Sequence, residues 1–232
     1  MKKKMLFICA AGLLTAGIAS AIESANIVGY KKVEGPVGGG FTIITSPFVS
    51  VLSPNQTFTL SQLTGNFRNN QTIQFLDSSG RVESMALYWA GEWYDFFDDE
   101  IYVGDDPIDA GKGMFVATGT YTFDGFIAGQ VEEDDITFPL NNGLTLVGNA
   151  SPVTLKLEEI EFSGLRNNNT LQFLDERGRV VSMALYWAGE WYDFYDDEIY
   201  VGDTWEVLPG EGFFVQCPGG SITIPTAFPK SL

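Results

Sequence analysis

The thirteen residues Ser84-Met-Ala-Leu-Tyr-Trp-Ala-Gly-Glu-Trp-Tyr-Asp-Phe96 return without change from Ser182 to Phe194. Set residues 68–105 against 166–203 and 32 of 38 positions are identical. This internal repeat constrains the fold more than any other feature, because whatever structure one copy adopts the other must adopt too. Two copies are fewer than the three or more stacked units of a solenoid. The chain therefore reads as two similar domains, or as two halves of one pseudo-symmetric domain. After residue 105 a one-residue insertion leads from Gly111-Lys-Gly-Met-Phe-Val116 to Gly210-Glu-Gly-Phe-Phe-Val215. A weaker match, Gly40-Phe-Thr-Ile-Ile-Thr45 with Gly143-Leu-Thr-Leu-Val-Gly148, opens each copy. The modules are placed at 22–128 and 129–232.

The periodicity within a copy is that of strands. Phe41–Thr45, Thr72–Leu76, Arg81–Tyr88, Trp93–Phe97, Met114–Val116 and Tyr121–Phe123 are short β-branched or aromatic runs divided by Gly, Pro, Asp and Asn. The expected class is all-β, two tandem homologous antiparallel modules, barrel- or sandwich-like. Each has at most one short helix, near Thr59 (Thr59-x-x-Gln62 has the form of a capping box) or Leu157–Ile160. Asp77-Ser-Ser-Gly80 and Asp175-Glu-Arg-Gly178 read as type I turns with a left-handed Gly, and Gly38–Gly40 and Gly219-Gly220 as further turns.

Lys2–Lys4, the apolar run Met5–Ile18 and the small residues Ala19-Ser20-Ala21 read as a bacterial signal peptide, expected to be cleaved after residue 21; the competing reading is a retained membrane anchor, for which the run is shorter than the roughly 20 residues a spanning helix needs. The product is then secreted or held in the periplasm or cell envelope, with no later segment apolar enough to insert in a membrane. Cleavage takes Cys9 with it and leaves Cys217 without an internal partner. It also removes three of the 13 basic residues, leaving ten against 30 acidic ones, a charge of about −20. Nucleic acid is excluded as a partner, since no basic cluster can release its counterions. The chain has no histidine, which excludes Ser-His-Asp and Cys-His couples and imidazole metal sites.

Three constellations remain. A two-residue turn at Ala90-Gly91 would put Met85, Leu87, Tyr94 and Phe96 on one face of a hairpin, assigned to the core. Tyr88, Trp93, Asp95 and Phe97 would line the opposite, outer face, repeated as Tyr186, Trp191, Asp193 and Tyr195. Aromatic rings beside a carboxylate suit a sugar, and two copies suit a polysaccharide; the same rings would equally serve as core or as a seam between modules. A three-residue turn would shift the pairing and exchange these assignments. Second, Asp98, Asp99 and Glu100, mirrored by Asp196, Asp197 and Glu198, supply hard oxygens of the kind calcium takes, although the spacing is not that of an EF-hand. Solvated acidic turns would have the same composition. Third, Glu92 and Glu190 are the carboxylates nearest to a glycosidase pair, but a solvated hairpin tip raises no carboxyl pKa, so no catalytic residue is assigned.

The order in each module is a glycine-led apolar strand, a small-Pro pair (Ser46-Pro47, Ser151-Pro152), a short helix, a Tyr-Trp-x-Gly-x-Trp hairpin and a closing Gly-x-Gly-aromatic-aromatic-Val strand. It resembles the secreted repeat modules of bacterial and archaeal surface proteins, whose closing signature corresponds here to Leu208-Pro-Gly-Glu-Gly-Phe-Phe-Val215. The first copy departs from it with Ala110-Gly111-Lys112. The resemblance implies an exported, non-catalytic β module and transfers no binding residue. The function expected is that of an extracellular or envelope binding module, possible partners being polysaccharide or another envelope protein. A self-assembling structural component is the alternative.

Overall fold

A computed structural model describes residues 28–36, 40–50, 57–196 and 198–225. The expected signal peptide 1–21, with Cys9, and also Gly38, Gly39 and Asp197 lie outside the described residues. The described chain is all-β. The first half contains β1 (Val28–Glu34), β2 (Phe41–Ile44), β3 (Thr57–Phe58), β4 (Leu63–Gly65), β5 (Thr72–Leu76), β6 (Val82–Trp89), β7 (Glu92–Asp95), β8 (Ile108–Asp109), β9 (Met114–Ala117) and β10 (Asp124–Gln130). The second contains β11 (Ile136–Gly148), β12 (Leu155–Lys156), β13 (Glu161–Ser163), β14 (Asn169–Leu174), β15 (Val180–Trp187), β16 (Glu190–Asp193), β17 (Glu206–Val207) and β18 (Gly212–Ile224). The expected short helix is a single 3-10 turn in each half, Leu60–Gln62 and Leu157–Glu159. Its start is held as the capping pattern implies: Thr59 N–H donates to Gln62 Oε1 at 3.0 Å.

In the first half two antiparallel sheets, β1-β10-β4 and β2-β9-β5-β6-β7, enclose one core. Val33, Leu63 and Ile127 of the first sheet and Ile44, Ile73, Trp93 and Val116 of the second belong to it. The second half makes the same pairings with fewer breaks. Its β11 does the work of β1 and β2, its β18 that of β9 and β10, and the result is one sheet, β11-β18-β14-β15-β16, with β13 added beside β18. Gly219 and Gly220, expected as a turn, lie inside β18 at φ +115° and +148°, conformations that let a continuous strand bend. Tyr121–Phe123, expected as a strand, is a loop; the strand begins at Asp124 because β10 finds backbone partners on both sides. Phe123 is fully buried.

The halves meet reciprocally. Phe41 N–H donates to Glu176 O, and Leu144 N–H to Ser78 O, at 3.0 and 2.9 Å. Thr45 N–H donates to Gly210 O, and Gly148 N–H to Gly111 O. Ile44 bridges Glu211, while Val147 bridges Lys112. Each pair links positions that match in the two copies with the roles exchanged, which is the form of an isologous two-fold interface inside one chain. The edge strands β2 and β11 are thereby covered rather than left open. Phe115 and Phe214 face each other across this seam with ring centroids 6.1 Å apart, packed by Ile43, Leu76, Leu144, Leu146 and Leu174. The approach is close because of two glycines. A Cβ at Gly212 would stand 2.2 Å from Ile43 Cγ2, and one at Gly113 2.5 Å from Leu146 Cγ.

Candidate functional site

The hairpins form as a two-residue turn predicts: Trp89 pairs with Glu92, Tyr88 with Trp93, Leu87 with Tyr94 and Ala86 with Asp95, and likewise from Trp187–Glu190 to Ala184–Asp193. Ala90 and Gly91 both have positive φ, +52° and +100°, the combination of a type I′ turn. Each tip is pinned from below: Asn69 Oδ1 accepts Ala90 N–H, and Asn167 Oδ1 accepts Ala188 N–H, both at 3.0 Å. This gives the repeated Arg-Asn-Asn segment a structural role that its sequence alone did not disclose.

The register holds, but the face assignment reverses. Trp93 and Trp191 are 3% and 4% exposed and belong to the cores. Trp93 packs against Phe67 and Tyr88, with ring centroids 4.8 and 5.0 Å away, and Trp191 packs against Phe162 and Tyr186. Tyr88 and Tyr186 are half-buried on that same inner face. Asp95 and Asp193 continue it, and their Oδ1 atoms accept N–H groups of the following loops, from Phe97 and Asp98 and from Tyr195. Only Phe97 and Tyr195 of the predicted set are well exposed, and both sit beyond the hairpin strands. The cause is physical: both faces carry apolar side chains, so alternation defines two faces without saying which one turns inward. Phe67 and Phe123, stacked 4.4 Å apart beneath β7, supply the partner surface that takes the indole.

The solvent-facing side is therefore the one assigned to the core. It presents Leu87, Trp89, Tyr94 and Phe96, repeated as Leu185, Trp187, Tyr192 and Phe194. Trp89 and Trp187 are each 48% exposed. Tyr94 donates to Glu92 Oε2 at 2.6 Å and Tyr192 to Glu190 Oε2 at 2.7 Å, and these bonds raise both phenol pKa values. Tyr102 and Tyr200 extend the ring row edge-on to Tyr94 and Tyr192. Tyr200 donates to Glu158 Oε2 at 2.8 Å, which pushes its pKa up to about 12. Tyr88 and Trp93 line a cleft of about 220 Å³ under the first hairpin tip, shared with Ser61, Glu92 and Tyr102.

Asp98, Asp99, Glu100, Asp196 and Glu198 are exposed in the loops after β7 and β16. Asp98 Oδ1 accepts Glu100 N–H and Asp196 Oδ1 accepts Glu198 N–H, so these carboxylates shape turns. Among the described residues no group of three acidic, cysteine or histidine side chains is arranged to hold a metal ion. Glu92 and Glu190 stand on separate hairpins, each bound to its own tyrosine.

The fold and this surface define an all-β protein of two pseudo-symmetric halves, each presenting one aromatic hairpin face. No protein-family model, curated protein or solved structure matches the chain.

Proposed function

We propose that this is an exported, non-catalytic binding protein of the cell envelope or extracellular space. In this reading its two hairpin faces engage a carbohydrate polymer. The observation that carries the reading is the outward display of Leu87, Trp89, Tyr94 and Phe96, with Glu92 beside them, in two sequence-identical copies. Sugar C–H faces stack on such rings while a carboxylate accepts hydroxyl hydrogen bonds, and two weak sites on one chain gain by effective concentration on a polymer. The acidic surface agrees with a neutral or cationic partner. The near-identity of the copies supports descent from one duplicated module.

The test is a glycan array probed with the purified protein, first in calcium and then in chelator, and repeated with Trp89→Ala/Trp187→Ala. Retention on a defined polysaccharide, lost in the double variant without a large change in melting temperature, is the expected result. Silence on every glycan in both buffers sinks the carbohydrate reading and leaves a self-assembling surface component. N-terminal sequencing of the exported product checks cleavage after residue 21.

A further inference from the structure

The two halves differ in how one internal space is filled. In the first half a cavity of about 230 Å³ opens between β6 and the segment that follows β7, with Phe75, Ala86, Val103 and Asp106 among its walls. The matching residues in the second half are Phe173, Ala184, Val201 and Trp205. The equivalence of Asp106 with Trp205 is set by strand pairing. Buried Phe58 pairs with buried Ile108 as buried Leu155 pairs with buried Val207, and the residue two places before Ile108 is Asp106 where the one two places before Val207 is Trp205. Trp205 packs on the second core with its ring 6.1 Å from Phe173. Three walls are thus kept while the indole is replaced by an aspartate.

We infer that this cavity is a ligand site, and that it takes a small aromatic amine whose ring lies where the second half carries its own indole. An apolar cavity of about 150 Å³ is enough for benzene, so one of this size admits a bicyclic ring. Its mouth supplies the charge preference. Asp95, Asp106 and Asp109 line it with a single cation, Lys112, whose Nζ stands 5.2 Å from the centroid of the Phe75 ring. The excess of carboxylates, on a chain of formal charge −17, favours an ammonium group on the ligand and opposes a carboxylate. The site lies on the inner side of the hairpin, apart from the outer aromatic face, and does not depend on carbohydrate binding.

The experiment is calorimetric titration of the full protein with tryptamine and, separately, with indole-3-propionate. Saturable binding of tryptamine at one site per chain is expected, with the anionic analogue weaker by about tenfold, the scale of reversing a solvent-exposed charge contact. Asp106→Trp should abolish binding by restoring the side chain of the other half. Ser84→Tyr, an exposed position at the mouth, should do the same by obstruction and decides the matter if Asp106→Trp does not fold. Asp106→Asn/Asp109→Asn should erase the preference for the amine. Absence of saturable tryptamine binding, equal affinity for both indoles, or binding undiminished in the folded plugging variants overturns the proposal.

Discussion

Trp89 and Trp93 belong to one hairpin, four residues apart, and removing either indole discriminates sharply between the two possible orientations of that hairpin. Trp93 is 3% exposed, with Phe67 and Tyr88 at 4.8 and 5.0 Å between ring centroids and Phe67 in turn stacked on Phe123. Trp93→Ala leaves a cavity beside Tyr88 of β6 and beside Phe67, which is wedged between Tyr88 and the fully buried Phe123, so the site has little freedom to collapse. A buried Trp→Ala truncation of this kind costs about 3–5 kcal/mol. With about 2–4 °C lost per kcal/mol in a chain of this size, the melting temperature should fall by roughly 6–20 °C. Trp89 keeps about half its surface in water, so Trp89→Ala should cost about 1 kcal/mol or less. Thermal melts followed by circular dichroism, with Trp191→Ala and Trp187→Ala as the second copy, measure both. If Trp89→Ala melted as low as Trp93→Ala, or Trp93→Ala melted within about 2 °C of the parent, the inward placement of Trp93 would be wrong.

The seam between the halves is open to a second test. Gly212→Ala drives a methyl to 2.2 Å from Ile43 Cγ2 and should destabilise by about 1–3 kcal/mol, and Ile43→Ala in the same chain should return part of that loss. Strictly additive losses in denaturant melts would remove the steric explanation. The phenol of Tyr200, held by Glu158, should titrate near 12 in an ultraviolet pH titration. Because its folded pKa is raised, its stabilising contribution is present below about 10, the ordinary tyrosine value, and fades as pH climbs through about 12. Glu158→Gln should bring that transition down, and an unchanged titration in this variant would show that Glu158 is not the cause.

The sequence by itself determined the repeat and the all-β class, and it narrowed the hairpin to two registers, of which the structure has the two-residue turn with Tyr88 opposite Trp93. Each of these is local: a turn of Ala90-Gly91 with positive φ sets a hairpin register, and Asp77 and Asp175 close their turns through hydrogen bonds to residues two and four places on. Strand β10 escaped because Asp124–Gln130 is rich in Gly and polar residues, and it becomes a strand only when β1 and β4 lie on its two sides. Which face of the hairpin turns inward was decided by tertiary structure, since Met85, Leu87, Tyr94 and Phe96 are as apolar as Tyr88 and Trp93. Phe67 and Phe123 made the choice, one from the loop before β5 and the other from far along the chain. The reciprocal seam is tertiary in the same sense. Its hydrogen bonds join residues as far apart in the chain as Thr45 and Gly210, and even Gly111 and Gly148 are separated by β9 and β10, so no window of local sequence contains both partners. That Asp106 stands where the other half has Trp205 is shown by strand pairing, because a one-residue insertion blurs the match in sequence, and the space it leaves exists only once Phe75, Ala86 and Val103 have been brought around it.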